Sequence, residues 1–419
     1  MNEKDIDYII KRALKDNIEA EILHVNIKVY EISKEKMEQH GMVYEEDGYG
    51  LRIIKNKKLG FSYGNKISDD LYDLAISSVD AGKEDEANVL SYDSKKVKVD
   101  GIFDENTLNP IDNLKYYIES LNSISDKVNF INQRAVAGYT TIEVKNTLGL
   151  DSQSKTSFIW IGGVANYLGE EVGPEIYEGE SSKFFNKINI ENILNNLILK
   201  IDLTKKRRKF ERNNKKNIDI IFTQKAINEL IVPLLTSGIS LENYYRNRTP
   251  FKLNDTFESK ISITDDPLIP YLPWSREIDG EGLPSLKAEI IKNGVLIKYL
   301  SNTYWSKKAN MENTHSAFRS FNSLPSISTS NLVFEGKSFK DNDAIYIDQV
   351  QGVHTSNFDT GDFSVSANVS WDKNGGFREI IVSGNIKDLL NKIIGFSNDV
   401  ISYDKVYSGK MKVSGLSIT

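Results

Sequence analysis

The sequence predicts an α+β protein of two domains: an N-terminal domain of helices with an antiparallel sheet, and a strand-rich mixed C-terminal domain. The 419 residues are enough for two or three domains. Segments with helical and strand periodicity follow one another without regular βαβ alternation, which favours α+β over a doubly wound sheet. A cluster of cations divides the chain near its middle. We therefore expect domains at 1–204 and 217–419, joined by a basic linker at 205–216.

Composition narrows the class of protein. Charged residues make up 27% and aromatic residues 10%, so the chain can bury a core and is not disordered throughout. The absence of Cys excludes a disulfide scaffold, a Cys-ligated metal site and a Cys nucleophile. The charged start at 1–7 lacks the apolar run of a signal peptide, and no apolar stretch has the ~18–20 residues of a membrane span. We therefore expect a cytoplasmic protein without membrane contact.

The first half contains alternating helix and strand signals. Apolar residues at spacings of three and four predict a helix over 5–17, and an apolar-rich run predicts a strand over 21–30. Alternation from Gly48, followed by the turn residues Asn56–Lys58, predicts a hairpin. Ser68 is the expected cap of a helix that runs to Val79. Further helices are predicted at 111–124 and 188–203, and further strands at 134–144 and 157–165.

The second half is richer in strand signals. A strand over 218–222 precedes a helix from Gln224, and Pro233 is expected to interrupt this helix. Three prolines within 266–274 predict a rigid loop. Further strands are predicted at 286–291, 295–300, 344–350, 363–370 and 377–381, and a short helix at 388–394 with Asn385 near its cap.

The common catalytic motifs are missing. No two of the four histidines, His24, His40, His315 and His354, lie within five residues of each other. A zinc peptidase helix of the usual kind needs two imidazoles about one turn apart so that both reach one ion. There is also no Gly-x-Ser-x-Gly elbow and no Walker sequence. The residues alone therefore indicate no standard hydrolase.

Among the acidic clusters of the sequence, Asp279-Gly280-Glu281-Gly282 is the strongest candidate for a functional site, and it follows the proline-rich loop. Two carboxylates on a glycine-rich turn are compatible with acid–base chemistry. The alternative is an ordinary tight turn with solvated acids, because Gly and Asp favour turns for backbone reasons.

The basic run at 205–216 carries eight cations and one anion. Such a run can contact phosphates, and DNA binding would then weaken steeply with salt. Phe210 is the only aromatic residue of this run that could stack on a base, and the whole chain has a net charge of −6. An exposed linker is therefore the favoured interpretation, and nucleic acid is not an expected partner.

Six short motifs follow one another in the second half. They are Ile263–Pro270 (ITDDPLIP), Asp279–Pro284 (DGEGLP), Ile291–Leu300 (IKNGVLIKYL), Asp359–Val365 (DTGDFSV), Val382–Asn385 (VSGN) and Val413–Ile418 (VSGLSI). In the first half, Gly48–Arg52 and Leu59–Tyr63 are similar to an early hairpin of the same family. In this order the motifs resemble the TldD/PmbA family over nearly the whole chain.

This resemblance implies one of two branches. The TldD branch is a zinc metalloprotease with H-E-x-x-x-H on a helix and a C-terminal Cys ligand. The PmbA branch, also called TldE, lacks these ligands and pairs with TldD to form a protease for unfolded or extended peptides. Here Pro233 and Gly238 fall near the positions of the two His, and the chain has no Cys. The resemblance thus implies a TldE-type subunit that binds no cofactor and is inactive without a partner that carries the zinc.

The resemblance also implies partners and site residues. We expect a heterodimer with a TldD-like catalytic subunit, a homodimer when the chain is alone, and peptides as substrates. The candidate residues for peptide or partner binding are Asp279, Glu281 and Asp362, and no catalytic or metal-binding residue is expected in this chain. The sequence departs from the family at Asp279-Gly280-Glu281, where the family usually has two adjacent acids.

Two alternatives remain open at this stage. The first is a module that binds DNA or gyrase, because the family also carries the label "modulator of DNA gyrase" and the basic run at 205–216 gives it local support. The second is a standalone hydrolase with a non-zinc site built from Glu281, Asp362 or a triad of distant residues.

Overall fold

The computed structural model describes residues 5–36, 38–168, 173–211, 218–340 and 344–419. Its α-helices are α1 (Ile6–Lys15), α2 (Asp69–Val79), α3 (Ile111–Asn122), α4 (Ile190–Lys205), α5 (Gln224–Ala226), α6 (Val232–Gly238), α7 (Leu241–Tyr245), α8 (Thr303–Ala309) and α9 (Ile386–Asn391). A π turn at Ile227–Ile231 connects α5 to α6, and 3₁₀ turns lie at Glu105–Leu108, Phe185–Lys187 and Val353–Thr355. None of the helices in these ranges combines the length and the apolar character that a membrane crossing requires.

The strands fall into two groups along the chain. The first group is β1 (Glu19–Glu35), β2 (Glu38–Lys55), β3 (Lys58–Gly64), β4 (Asn129–Asn146), β5 (Asp151–Asn166) and β6 (Ile176–Ser182). The second group is β7 (Asp219–Phe222), β8 (Ser262–Asp265), β9 (Ala288–Lys292), β10 (Val295–Leu296), β11 (Ala317–Phe318), β12 (Ser326–Ile327), β13 (Leu332–Glu335), β14 (Ile345–Gln351), β15 (Asp362–Asp372), β16 (Gly375–Gly376), β17 (Ile380–Asn385), β18 (Ile393–Phe396), β19 (Ile401–Tyr403), β20 (Val406–Ser408), β21 (Met411–Ser414) and β22 (Ser417–Ile418).

The first group forms one antiparallel sheet in the order β3-β2-β1-β4-β5-β6. Helices cover one face: α1 and α2 pack on β1 and β2, and α3 and α4 pack toward β4 and β5. Side chains alternate across a strand, so Ile22 faces the helices while Leu23 packs with Phe321 from the second half. The other face of the sheet therefore lies against the C-terminal half and presents Glu21 and Arg52 to it.

Local sequence signals explain the first-half elements. The Ser68 hydroxyl accepts a hydrogen bond from the Leu71 amide at 3.2 Å and so caps α2, as predicted. The β2–β3 hairpin turns at Asn56 and Lys57, whose φ angles are +51° and +60°. Two central residues with positive φ match the twist of the flanking strands, and the predicted hairpin is confirmed.

The second group forms two mixed sheets around one core. One has the order β18-β21-β7-β14-β15-β17-β22, with β16 beside β15, and the other has the order β10-β9-β8-β13-β20-β19. Parallel pairs join β7 to β14 and β13 to β20. Apolar side chains of both sheets pack with the helical run over 224–238, including Leu230 and Leu235. The predicted α+β fold with a strand-rich mixed second half is confirmed.

Four local predictions in the second half are wrong, among them the strand at 295–300, of which only Val295–Leu296 forms a strand. Pro233 does not interrupt its helix: the π turn shifts the backbone hydrogen bonding, and Pro233 falls in the first turn of α6, where a missing N–H costs little. Helix α9 ends at Asn391 rather than at Ile394, because β18 begins at Ile393 and pairs with β21. The strand predicted at 377–381 is β17, displaced toward the C-terminus.

The basic run lies only partly within the described residues, since 212–216 fall outside them. In the described part, Arg208 forms an ion pair with Asp372 at 2.6 Å and lies over the ring of Phe377. Lys205 pairs with Asp202 at 2.6 Å in the last turn of α4. These two cations of the run therefore contact the protein itself.

Candidate functional site

An open cavity of about 530 Å³ runs along the helical segment 224–238. Asn228, Val232 and Thr236 line it from this segment, at spacings of four residues that place them on one helix face, and Pro233 and Ser237 lie beside them. Opposite them lies β12, which within the described residues pairs only with β11. We call this space the central cavity. A free strand edge beside a helix face is a geometry in which an extended peptide gains main-chain hydrogen bonds.

A second cavity of about 310 Å³ adjoins the first, because Glu242 lines both. Its walls come from both halves of the chain: Arg52 belongs to the N-terminal sheet, while Glu281 and Trp305 belong to the C-terminal half. We call this space the Arg52 cavity, and the two together the groove. Each volume lies within or near the ~300–1,000 Å³ typical of ligand sites.

The helix face in the central cavity does not fit a zinc ion. Zinc is held by Cys, His, Asp or Glu, whereas Pro233 and Gly238 carry no donor side chain and Ser237 carries a neutral hydroxyl. That hydroxyl already accepts a hydrogen bond from the Asn243 amide at 3.0 Å. Across the described ranges, no three His, Asp or Glu side chains converge as a metal site. No catalytic step through a metal is therefore derived for this chain.

Gly238 is buried and has a packing role rather than a role in the cavity wall. A Cβ built on Gly238 would lie 2.4 Å from the ring of Phe251, closer than real Cβ atoms approach. The Gly238 carbonyl accepts a hydrogen bond from the Thr249 hydroxyl at 2.5 Å. An imidazole at this position would need the space that Phe251 fills.

Glu281 lies in a buried ionic network between the two halves. Its Oε1 accepts a hydrogen bond from Arg52 at 3.0 Å, and its Oε2 accepts from the Thr303 amide at 2.9 Å and the Thr303 hydroxyl at 2.6 Å. Arg52 also makes a bidentate pair with Glu21 at 2.8 and 2.9 Å, and Arg319 donates to Glu21 at 2.6 Å. Glu281 is thus fully paired, a state typical of a structural carboxylate rather than of a poised acid or nucleophile.

Opposite charges in this network stabilise one another, whereas burial and the nearby Arg52 lower the pKa of Arg319 below its ordinary value. Burial opposes the charge of Arg52, but Glu21 and Glu281 outweigh it and raise the pKa of Arg52 above its ordinary value. Burial likewise opposes ionisation of Glu21, but Arg52 and Arg319 lower its pKa below the ordinary range. The ion pairs of Arg52 with Glu281 and of Arg319 with Glu21 join the C-terminal half to the N-terminal sheet.

Asp279 shapes the turn that carries Glu281. Its Oδ1 accepts hydrogen bonds from the amides of Glu281 at 2.9 Å and Leu283 at 3.0 Å, and Gly282 adopts φ +74°. Both carboxylates of the turn are buried, so the alternative of solvated acids is wrong. Burial, together with the negative charge of Glu281, raises the pKa of Asp279 to about 6.

Asp362 lies apart from the other two candidates. It is exposed at the start of β15, where its carboxylate accepts hydrogen bonds from Thr360 at 2.6 Å and Asn385 at 2.8 Å. These contacts lower its pKa below the ordinary value. It lines neither cavity of the groove. The structure therefore brings Asp279 and Glu281 together and leaves Asp362 at a separate place.

Sequence reasoning missed the groove residues that carry no motif. Arg52 was noticed only as part of a hairpin, and Glu242 and Asn228 were not singled out. Arg52 alternates with the apolar residues Leu51 and Ile53, which face the helices. This alternation places the charge of Arg52 on the opposite face of the sheet, and it is the sequence signal that could have identified Arg52. No local signal distinguishes Glu242 or Asn228.

Comparison with known proteins identifies the family of this chain. The profile of the PmbA/TldA metallopeptidase C-terminal domain matches residues 215–419, and that of the PmbA/TldA metallopeptidase domain 1 matches residues 20–81. An uncharacterized protein of Methanocaldococcus jannaschii is 30% identical over 98% of this chain and 99% of its own length.

Two named proteins are similar as well. A metalloprotease PmbA homolog of Buchnera aphidicola is 29% identical over 48% of this chain and 46% of its own length. The crystal structure of TldE from Thermococcus kodakarensis superposes with a TM-score of 0.85 at 21% identity, over 99% of both chains. By these matches over both halves, the chain belongs to the TldD/PmbA family of metallopeptidase-related proteins.

Proposed function

We propose that this chain is the non-catalytic, metal-free subunit of a heterodimeric zinc peptidase, and that it helps to hold an extended peptide for a TldD-like catalytic partner. The main support for this proposal is the set of residues on the helix face of the central cavity. Pro233, Thr236 and Ser237 line the cavity there, and Gly238 is packed behind it. The groove supplies peptide-sized space, and Pro233, Thr236 and Ser237 on this helix face carry no side chain that would hold a zinc ion to activate water.

The peptide role is supported by the polar lining of the groove. Ser326 and Ile327 of the short strand β12 line the central cavity, and Asn243 and Thr236 line it as neutral polar residues. Such groups bind a peptide backbone with little demand on its sequence. This lining supports our proposal that the substrates are unfolded or extended peptides.

The partner role is supported by an exposed edge on the N-terminal sheet. Residues 38–48 of β2 pair with β1 on one side, while β3 covers only Tyr49–Lys55 on the other. Met42, Val43 and Tyr44 are about half exposed there. A long edge with apolar side chains is a template for pairing with another chain. We assign this edge, residues 38–48, to contact with the TldD-like subunit.

The test combines the purified chain with the TldD-like protein of the same organism. The pair should co-elute and cleave an unstructured peptide in the presence of zinc, whereas this chain alone should not. Val43→Lys should abolish co-elution, and Leu74→Lys, at an exposed position of α2, should leave it unchanged. Failure of the two wild-type proteins to associate would overturn the subunit role.

The peptide role needs a variant that spares the interface. Thr236→Trp would fill the central cavity and should reduce peptide cleavage by the pair at least tenfold while co-elution persists. Thr355→Trp, at an exposed position that lines neither cavity, is the matched control. Unchanged cleavage with Thr236→Trp would contradict a peptide path through the groove.

A further inference from the structure

The Arg52 cavity differs from the central cavity in the apolar character of its walls. Its apolar lining comes from both halves of the chain and includes Ile54, Leu59, Val89, Trp305, Leu324 and Pro325. The Trp305 side chain is held in place: its ring meets the ring of Tyr304 edge to face, with centroids 4.9 Å apart, and the Arg246 guanidinium lies over it at 4.9 Å. The cavity therefore has a preformed aromatic and aliphatic wall.

The neutral polar side chains on the walls are already bonded to the protein. The Asn302 side chain donates to the Pro325 carbonyl at 3.0 Å and accepts a hydrogen bond from the Trp305 amide at 3.0 Å. The Asn88 side chain donates to the Lys57 carbonyl at 2.7 Å. A polar group that entered the cavity would lose its hydration and find these amides engaged, at a net cost in free energy.

The charged side chains at the cavity have partners of opposite sign. Glu281 contacts Arg52 at 3.0 Å, and Arg52 pairs with Glu21 as well. The two glutamates of this network are matched by two arginines, Arg52 and Arg319. Glu242, where the two cavities adjoin, accepts a hydrogen bond from Arg246 at 2.9 Å. With their partners, these side chains leave neither sign of charge in excess, so the cavity favours a neutral ligand.

The size of the Arg52 cavity suits an aromatic or a large aliphatic group. Its volume is about 310 Å³, whereas an apolar cavity of about 150 Å³ in another protein is large enough to bind benzene. Complete burial of a Phe or Leu side chain strengthens binding by about tenfold to hundredfold. A single side chain in this cavity would therefore contribute measurably to the affinity of a longer ligand.

One segment of the chain borders both cavities of the groove. Leu324 and Pro325 line the Arg52 cavity, and the next two residues, Ser326 and Ile327 of β12, line the central cavity. An extended peptide advances by about 3.3 Å per residue. A peptide that lies along β12 in the central cavity therefore has a side chain within one or two residues of the Arg52 cavity.

We propose that the Arg52 cavity receives one large apolar side chain, such as Phe or Leu, of a peptide that lies in the central cavity. This inference rests on the proposed function and adds a preference to it. Large apolar side chains are mostly buried in folded proteins and become accessible when a chain unfolds. A cavity that takes such a side chain selects unfolded peptides from folded surfaces without reading a sequence motif.

The first test uses toluene on the full-length chain without a partner. Toluene should bind, as measured by NMR shifts, and N-methylpyridinium, its charged isostere, should not. Leu324→Asp, at a partly exposed position of the wall, should weaken toluene binding at least tenfold, and Val89→Asp should do the same from the opposite half of the chain. Leu148→Asp, similarly exposed and lining neither cavity, should bind toluene like the wild type. Equal binding of both probes, or unchanged toluene binding by both wall variants, would overturn the proposal.

The second test separates the apolar site from the peptide function. Two unstructured peptides are identical apart from one central residue, which is Phe or Ser. The Phe peptide should bind the chain at least tenfold more tightly, toluene should compete with it, and Leu324→Asp should remove most of the difference. If both peptides bind equally well, the groove stands and the apolar site fails. If toluene binds and neither peptide does, the cavity is a site for a free apolar molecule and the proposed peptide function fails.

Discussion

Arg52 and Glu281 form a buried ion pair of 3.0 Å between residues 229 positions apart in the chain. Arg52 comes from β2 of the N-terminal sheet, and Glu281 comes from the turn after the proline-rich loop. Both side chains are almost completely excluded from solvent. This contact gives the acid-bearing glycine turn a structural role between the two halves of the chain.

The first prediction concerns this pair. Glu281→Gln leaves the Arg52 guanidinium with one buried carboxylate instead of two and should lower the free energy of unfolding by about 3–5 kcal/mol, as expected when a buried pair loses one partner. Urea denaturation measures the change. Glu289→Gln removes an exposed pair with Lys292 and should change the free energy of unfolding by less than about 1 kcal/mol. Equal effects of the two variants would contradict the structural role of Glu281.

The second prediction concerns the glycines of β2. A Cβ on Gly50 would lie 2.2 Å from the carbonyl oxygen of Phe321, because the C-terminal half approaches the sheet closely at this point. Gly50→Ala should destabilise the protein by about 1–3 kcal/mol, since backbone must move. Gly41→Ala is the matched control on the same strand, because a Cβ there meets nothing within 4 Å. Thermal unfolding of both variants checks the difference, and a stable Gly50→Ala would contradict the close approach.

The third prediction concerns pH. Burial raises the pKa of Asp265 to about 6, although Ser330 donates to its carboxylate from the backbone at 2.6 Å and from the hydroxyl at 2.9 Å. The native state therefore holds a proton that the unfolded state releases near pH 4, and stability falls as pH rises from about 4 to about 6. The loss is on the order of 2–3 kcal/mol for this group. Asp265→Asn should reduce the slope there without abolishing it, because Asp279, whose pKa is also raised to about 6, contributes with the same sign.

Asp362 provides the opposite sign as a control for the pH experiment. Hydrogen bonds from Asn385 and Thr360 lower its pKa, so its contribution is present above the unfolded pKa and is lost as pH falls. Asp362→Asn should therefore lower the stability of the protein above about pH 4. It should leave the slope of stability against pH between pH 4 and pH 6 unchanged. If stability depended on pH identically in Asp265→Asn and in the wild type, the native state would not hold a proton on Asp265 in this pH range.

Elements with strong local signals were predictable from the sequence. The cap at Ser68 and the positive-φ turn at Asn56 and Lys57 depend on a few adjacent residues, and both appear where predicted. The π turn before Pro233 was not predictable, because it depends on packing between two sheets rather than on residue preference. Helix α9 was overextended for the same reason: Ile393 pairs with β21, and tertiary pairing outweighs helical periodicity there.

The candidate site was predictable only in part. The motifs located Asp279 and Glu281, but the charge that pairs with Glu281 belongs to Arg52, which lies far away in the sequence. Sequence spacing cannot distinguish a solvated acid from a paired one, because the partner belongs to another sheet.

The fourth prediction concerns the position that the resemblance assigned to a lost ligand. A Cβ on Gly238 would lie 2.4 Å from the ring of Phe251, so Gly238→Ala should destabilise the protein by about 1–3 kcal/mol. Phe251→Leu makes room for the added methyl group. In the Phe251→Leu background, Gly238→Ala should therefore lower the free energy of unfolding by clearly less. A double-mutant cycle measured by urea denaturation gives the coupling, expected at about 0.5–3 kcal/mol for residues in contact. Additive effects would mean that Phe251 does not fill this space, and a ligand at residue 238 would then be sterically possible again.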